Sequence, residues 1–178
     1  LEKFEGSDST IGSEMKSVGE VMAIGRTFPE TLQKALRMLE KGPVGLDPHA
    51  YEFADIKKEL NEPTPRRIYA VARAFYDGMS MDEIYELTKI DRYFLSEISY
   101  IVDYQKSLEK LKGKGANALE EDFLWKLKQY GFADRFISKI LALDENDIRA
   151  RRWRLGVRPS LTQIDTMAAE YPAETNFL

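Results

Sequence analysis

Five arginines lie in one short stretch near the carboxyl end, and they are the residues of this chain best suited to chemistry. They are Arg149, Arg151, Arg152, Arg154 and Arg158, with Trp153 among them. Guanidinium groups bind phosphate in a planar, two-pronged way, and an indole ring can stack on a base. The run also ends a unit of three short predicted helices joined by tight turns, which is typical of a helix-turn-helix domain.

The same arginines have a plainer interpretation. Cations near the end of a helix complement its dipole and pair with nearby carboxylates. Residues 121–158 hold nine basic and six acidic side chains, and the whole chain carries a formal charge of −4. A protein built to wrap nucleic acid is usually far more basic. We expect structural pairing, and keep DNA binding through Arg149–Arg158 and an unrelated helical interaction module as alternatives.

Other groups suited to catalysis are scarce. The acidic clusters at 120–122 and 144–147 fall at predicted helix starts, where the helix dipole favours negative charge. The sequence has no cysteine and one histidine, His49, so thiolate metal sites and histidine-dependent triads are excluded. No phosphate-binding glycine loop is present. We therefore predict no catalytic residue, no metal site and no cofactor within this chain.

Composition is typical of a globular domain. Of 178 residues, 43% are hydrophobic and 31% are charged. We find no apolar run long enough to span a membrane and no basic-then-apolar leader. The absence of cysteine fits a reducing compartment, so we expect a cytoplasmic protein. The first residue is Leu1 and not methionine, which is typical of a domain cut from a longer protein.

Hydrophobic spacing and capping signals predict an all-α fold. We expect a compact bundle of about seven to eight short helices with irregular ends, and a hinge near 112–118 could divide it into two subdomains. Thr27 with Glu30, and Ser80 with Glu83, have the spacing of capping boxes. The predicted helices are 29–41, 51–61, 64–77, 80–87, 91–112, 119–130, 133–142 and 144–155.

The longest predicted helix, 91–112, has two apolar stripes. One contains Phe94, Ile98, Ile101 and Leu108, and the other contains Tyr93, Tyr100, Tyr104 and Leu111. A helix that is apolar on two flanks is either central in its bundle or keeps one face for a partner. We favour the central position, because interior helices are common in all-helical domains.

Several stretches resemble one known family. The stretch Met15-Lys-Ser-Val-Gly-Glu-Val-Met-Ala-Ile-Gly-Arg26 is the most specific, and further echoes follow in the family's order at Leu87–Leu95, Lys128–Asp134 and Gln163–Glu170. Together they resemble the large chain of carbamoyl-phosphate synthase. The resemblance covers nearly the whole chain, and is weakest before Met15 and in the loops at 42–62 and 112–118.

The resemblance implies three parts. Residues 1–26 would be the tail of a preceding ATP-grasp half, 27–158 a helical oligomerization domain, and 159–178 a connector to a following ATP-grasp half. The family makes carbamoyl phosphate from bicarbonate, glutamine-derived ammonia and two ATP, with Mg or Mn, for arginine and pyrimidine synthesis. Its expected partners are the two ATP-grasp halves, other large chains and a glutamine amidotransferase, without nucleic acid or membrane. Some relatives are expected to be mitochondrial.

Two hypotheses about sites follow. Lys16, Ser17 and Glu20 surround two glycines in the most family-like stretch, so we expect them to border the active-site face of the preceding half. Aromatic residues are enriched at protein interfaces, so we expect Tyr93, Tyr100 and Tyr104, or Trp125 and Trp153, to take part in self-association.

Overall fold

The protein is all-α in the part that its computed structural model describes, which comprises residues 6, 8, 10–15, 20–39 and 42–160. Eight α-helices and one 3-10 helix make up this part, and it contains no strand. None of these helices is both long and apolar enough to cross a bilayer. The α-helices are α1 (Phe28–Met38), α2 (Ile56–Asn61), α3 (Arg67–Tyr76), α4 (Met81–Thr88), α5 (Arg92–Glu109), α6 (Glu121–Gln129), α7 (Asp134–Leu141) and α8 (Glu145–Arg154); the 3-10 helix is Ala116–Ala118.

Helix α5 is the centre of the bundle by its contacts, although its tyrosine flank is not fully buried: Tyr93 is 56% and Tyr100 is 48% exposed. It packs against α1, α3, α4 and α7, and its buried residues are Leu95, Ile98, Ile101, Val102, Gln105 and Leu108. Phe94, placed on the buried stripe by its spacing, is 41% exposed in the first turn of the helix. There its ring lies 5.0 Å from that of Phe28 on α1.

Two of the three capping predictions are confirmed. Ser80 and Glu83 form the predicted capping box at the start of α4, and Asp144 accepts a hydrogen bond from the backbone of Asn146 at the start of α8. The predicted box at Thr27 is wrong, because Thr27 makes no side-chain cap bond. Glu30 instead accepts a hydrogen bond from the backbone N–H of Arg26 at 2.9 Å.

The second predicted helix begins too early. Residues 51–54 are not helical, and α2 starts at Ile56, where Asp55 accepts hydrogen bonds from the N–H groups of Lys57 and Lys58. Tyr51 instead packs its ring against Tyr69 at 5.1 Å, so an aromatic contact with α3 fixes this segment as a loop. The predicted helix began at residue 51 because Asp55 was not identified as the N-cap residue at which α2 starts.

The segment 112–118 connects the two predicted halves of the bundle. It contains turns and the 3-10 helix, and it is bonded to α8: Arg151 donates to the carbonyl oxygens of Leu119 at 2.9 Å and Asn117 at 3.2 Å. Bending at this segment stays a prediction. These two hydrogen bonds nevertheless hold the end of the segment against α8.

Candidate functional site

The arginine run is used mainly inside the domain. Arg152 lies within 3.1 Å of Asp134 and also donates to the carbonyl of Val157. Its side chain is 11% exposed and that of Asp134 is 8% exposed. Lys128 binds the other oxygen of Asp134 at 2.9 Å, so one buried carboxylate ties together α6, α7 and α8.

Burial shifts the pKa of Lys128. Loss of solvent lowers the pKa of its ammonium group, and the attraction and hydrogen bond of Asp134 only partly oppose this. Lys128 also donates to the carbonyl of Phe132 at 2.7 Å. The arrangement is that of a structural ion triad, in which the charges satisfy one another and leave little for a ligand.

Three other arginines of the run also have partners. Arg151 holds the 3-10 segment, Arg149 pairs with Glu145 at 3.5 Å, and the guanidinium of Arg158 lies 4.5 Å from the ring centre of Trp153. Only Arg149, Arg154 and Arg158 are exposed. The DNA-binding alternative therefore finds no support, because Arg151 and Arg152 bond to groups within the domain and Arg149 and Arg158 already have partners.

That this chain supplies no catalytic residue, metal site or cofactor stays a prediction. Among the described residues no cluster of three or more potential metal ligands occurs. Glu120, Glu121 and Asp122 are exposed at the start of α6, where negative charge favours helix formation. They lack the burial that a proton-transferring carboxyl group needs.

Exposed aromatic side chains lie at the start and middle of α5. Tyr93 is 56% exposed and Tyr100 is 48% exposed, and their separation of seven residues places them on one side of the helix. The ring of Phe94 lies 5.3 Å from that of Tyr93. With Phe28, which contacts Phe94, these residues form what we call the α5 aromatic surface: Phe28, Tyr93, Phe94 and Tyr100.

Tyr104 lies elsewhere than the other two tyrosines of its predicted stripe. It is half-buried, and its ring lies 4.5 Å from that of Tyr130 and 6.2 Å from that of Phe123. Its aromatic contacts therefore lie within the domain. Trp125 on α6 is 41% exposed and Trp153 on α8 is 48% exposed, so both remain available on the second half of the bundle.

The stretch before α1 is fixed to that helix. Lys34 donates to the carbonyl of Ile24 at 3.0 Å and pairs with Glu30 at 2.7 Å. Glu30 in turn accepts from the backbone of Arg26. Glu20 is exposed, whereas Lys16 and Ser17 lie outside the described residues. The chain is therefore held against α1 from residue 24 onward.

Gln33 of α1 joins distant parts of the domain. It is fully buried, donates to the carbonyl of Tyr130 at 3.3 Å and accepts from the backbone N–H of Leu46 at 3.1 Å. Glycine on each side makes this approach possible: a methyl group on Gly131 would lie 2.9 Å from the Gln33 side chain, and one on Gly45 would lie 2.5 Å from its amide oxygen. We call this arrangement the Gln33 joint.

Arg37 strengthens the same contact. It donates to the carbonyl of Gly131, and burial lowers the pKa of its guanidinium group, with Glu30 opposing this from nearby. Sequence reasoning missed Gln33, Arg37 and Asp134. A polar residue on the apolar face of an amphipathic helix, as Gln33 is beside Leu32 and Leu36, is the signal that could have indicated a buried partner.

A family model for the carbamoyl-phosphate synthetase large chain, oligomerisation domain, matches residues 20–156. The chain belongs to this family. It is 48% identical over 184 residues to "Carbamoyl-phosphate synthase [ammonia], mitochondrial" of Mus musculus. It is 46% identical over 179 residues to the mitochondrial arginine-specific large chain of Schizosaccharomyces pombe, and 43% identical over 183 residues to the large chain of Pseudomonas syringae pv. tomato.

Each alignment covers 100% of this chain but only 12%, 15% and 17% of the respective relative. The chain thus corresponds to the oligomerisation domain of a carbamoyl-phosphate synthase large chain and to a small part of such a protein. The resemblance inferred from Met15–Arg26 and the later motifs is confirmed, as is the all-α fold. The relatives include mitochondrial proteins of eukaryotes and a bacterial large chain.

Proposed function

We propose that this domain works inside a longer carbamoyl-phosphate synthase as the helical spacer that sets the distance between two ATP-grasp halves and joins copies of the chain. The observation that carries the proposal is the Gln33 joint, which ties the entry of the domain at α1 to the turn between α6 and α7. Because α1 also packs on the central helix α5, the entering chain is fixed to both halves of the bundle.

The proposed parent makes carbamoyl phosphate from bicarbonate, glutamine-derived ammonia and two ATP, with Mg or Mn, and supplies arginine and pyrimidine synthesis. Its partners would be the two ATP-grasp halves, other large chains and a glutamine amidotransferase. It would act in the cytoplasm or, as the names of several relatives suggest, in mitochondria. A reactive intermediate that passes between separate sites needs those sites at a fixed separation, which a braced helical block maintains better than a flexible linker.

Disruption of the Gln33 joint in the intact enzyme tests the spacer role. Gln33→Met keeps the length of the side chain but removes both hydrogen bonds. We expect more ATP to be consumed for each carbamoyl phosphate formed, because intermediate is lost when the halves are held less firmly. A matched change at the exposed Gln129, Gln129→Met, should leave the ratio unchanged. An unaltered ratio in a Gln33→Met enzyme with a measurably looser domain would refute the spacer role.

The α5 aromatic surface is the self-association site we favour, with Trp125 and Trp153 as the second candidate. Large exposed aromatic side chains are typical of interfaces. Tyr93, Phe94 and Tyr100 are 56%, 41% and 48% exposed on α5, and the ring of Phe94 contacts those of Tyr93 and Phe28. Tyr104 would not contact the partner directly, because its ring packs against Tyr130 within the domain. It would support the surface by holding α5 in place.

Light scattering over a concentration series separates these candidates. We expect the chain to form a dimer or larger species that dissociates on dilution, and Tyr93→Asp with Tyr100→Asp to leave a folded monomer. Trp125→Asp with Trp153→Asp should not change the mass. The reverse pattern would move the interface to α6 and α8. A strict monomer at high concentration would place association in contacts outside these residues.

Glu20 is the one described member of the predicted active-site border. We propose that it faces the preceding ATP-grasp half in the intact enzyme, since it is exposed in this domain and belongs to the most family-like stretch. Glu20→Gln should lower bicarbonate-dependent ATP hydrolysis. Normal hydrolysis together with normal synthesis of carbamoyl phosphate would exclude this role.

A further inference from the structure

The chain between α5 and the 3-10 helix contains two consecutive lysine–glycine pairs. Lys112, Gly113, Lys114 and Gly115 form what we call the 112–115 loop, and its first three residues are exposed. Both glycines have a positive φ, of 82° and 75°, and a methyl group on either would meet nothing within 4 Å. The space around the backbone of this loop is therefore open.

Little holds the 112–115 loop closed. The backbone N–H groups of Lys112 and Lys114 bond to carbonyl oxygens of the turn that precedes them, both at 3.0 Å. No residue of the loop is buried. On its far side the chain is fixed again at Leu119, which is fully buried and bonded to Arg151. Opening of the loop breaks turn bonds and exposes no apolar side chain, so we expect it to cost little free energy.

A loop of this kind is a preferred place for proteolysis, because exposed loop tips with small and polar residues are readily cut. The other exposed lysines of the described residues lie in or next to helices. Lys57, Lys58, Lys126 and Lys139 lie within helices, and Lys89 and Lys110 lie directly at helix ends. Cleavage after any of these requires part of a helix to unwind.

We propose that the 112–115 loop is a proteolytic modification site, at which a lysine-specific endoprotease cuts the chain without separating its two parts. Water adds across the peptide bond that follows Lys112 or Lys114. The lysine gains a carboxylate, and the glycine after it gains an amino group. This inference does not depend on the proposed spacer role or on self-association.

The parts before and after the loop are joined by contacts that the cut leaves in place. Gln33 donates to the carbonyl of Tyr130 at 3.3 Å, and Lys139 pairs with Asp47 at 2.9 Å. Helix α5 packs against α7, and one core of buried side chains includes residues from both parts. The cut removes only the covalent link, so the nicked domain should remain a folded complex of two fragments.

Limited digestion of the folded chain with an endoprotease that cuts only after lysine tests the site. We expect the first cut between residues 28 and 158 to follow Lys112 or Lys114, as identified by mass spectrometry. The two fragments should elute together in size-exclusion chromatography, at the volume of the intact chain at the same concentration. A first cut after another lysine of this range, or fragments that separate without denaturant, would overturn the proposal.

Thermal unfolding distinguishes a complex of fragments from an intact chain. Unfolding of the nicked domain releases two molecules, so its melting temperature should fall by about 3–5 °C for each tenfold dilution beyond any change seen in the intact chain. Equal concentration dependence of the nicked and the intact protein would show that the two parts are not held by contacts alone.

Substitution of the two lysines locates the cut. Lys112→Gln with Lys114→Gln changes exposed side chains only, and we expect the rate of internal cleavage to fall by about tenfold or more, because the remaining sites need a helix to open. Lys57→Gln with Lys58→Gln on α2 is the matched control and should leave the rate unchanged. Circular dichroism checks that both variants are folded. An unchanged rate in the Lys112 and Lys114 variant would refute the site.

Discussion

Helix α8 carries four arginines and α5 carries three tyrosines, and the two helices use these side chains in opposite ways. Arg152 and Arg151 of α8 bond to groups inside the domain, whereas Tyr93 and Tyr100 of α5 are about half exposed. In most domains charge lies outside and aromatic rings lie inside. The reversal shows that a cluster of charges can be a brace and an apolar stripe can be an outer surface.

The largest loss in the free energy of unfolding should come from substitution of Arg152. This variant tests whether the arginines of α8 brace the interior of the domain. Arg152→Met leaves the buried Asp134 with Lys128 alone, and loss of one partner from a buried ion group costs about 3–5 kcal/mol. Arg149→Met removes only an exposed pair with Glu145 and should cost less than about 1 kcal/mol. Urea unfolding measures both. Equal losses would mean that Arg152 does not brace the domain.

Substitution of Gly131 tests how closely α1 packs against the turn between α6 and α7. Its φ of 82° and its approach to Gln33 both oppose a side chain, so we expect Gly131→Ala to lower the free energy of unfolding by about 2–4 kcal/mol. Gly113 has the same φ of 82° but nothing within 4 Å of an added methyl group.

Gly113→Ala is therefore the matched control and should cost only the backbone strain, about 1 kcal/mol. The difference between the two variants isolates the close approach of α1 to the turn between α6 and α7. A difference near zero in chemical denaturation would show that the Gln33 joint relaxes without cost.

Sequence reasoning succeeded mainly where the interacting groups are neighbours, with the box at Thr27 as the exception. The Ser80 capping box joins residues three apart, and the positive φ angles of Gly131 and Gly156 follow predicted helix ends. It failed where the partner is distant in sequence. Gln33 and Tyr130 are separated by 97 residues, and Arg152 and Asp134 by 18. Composition shows which side chains can pair but not which surface of the fold brings them together.

The surroundings of the three tyrosines of α5 were predicted only in part, for a similar reason. The 3.6-residue period placed Tyr93, Tyr100 and Tyr104 on one stripe, but it could not show that Tyr130 and Phe123 approach Tyr104 from α6 and the turn after it.

A smaller difference in the free energy of unfolding is expected between substitutions of two tyrosines of α5. Tyr104→Ala removes a half-buried ring that packs against two others, and we expect a loss of about 2 kcal/mol in the free energy of unfolding. Tyr100→Ala should change it by less than about 0.5 kcal/mol. Thermal denaturation at a concentration where both proteins are monomeric gives the comparison, and similar losses would remove the distinction between surface and interior rings.

The smallest effect concerns Tyr76, an aromatic residue that is neither outer surface nor apolar core. Its hydrogen bond to Glu109 raises its pKa to about 12, whereas a tyrosine in the unfolded chain titrates near 10. Above pH 10 the unfolded chain loses this proton while the folded protein keeps it. The stabilisation that is complete at neutral pH should therefore decline as the pH rises from about 10 to 12.

Tyr76→Phe removes this contribution. The difference in the free energy of unfolding between the wild-type protein and the variant should be constant from pH 7 to about 9 and should shrink above about 10. Urea unfolding across this range measures it, and other groups that titrate there cancel in the difference. A difference that stays constant to pH 11.5 would contradict the raised pKa.

The Gln33 joint also sets an order of events during synthesis. Helix α1 is among the first parts of this domain to leave the ribosome, yet its buried amide bonds to Tyr130, almost one hundred residues later. Contacts of such long separation carry a loop-closure cost that slows their formation. Until Gly131 has emerged, the apolar face of α1 lacks one of its partners, so the domain closes only when most of it has been made.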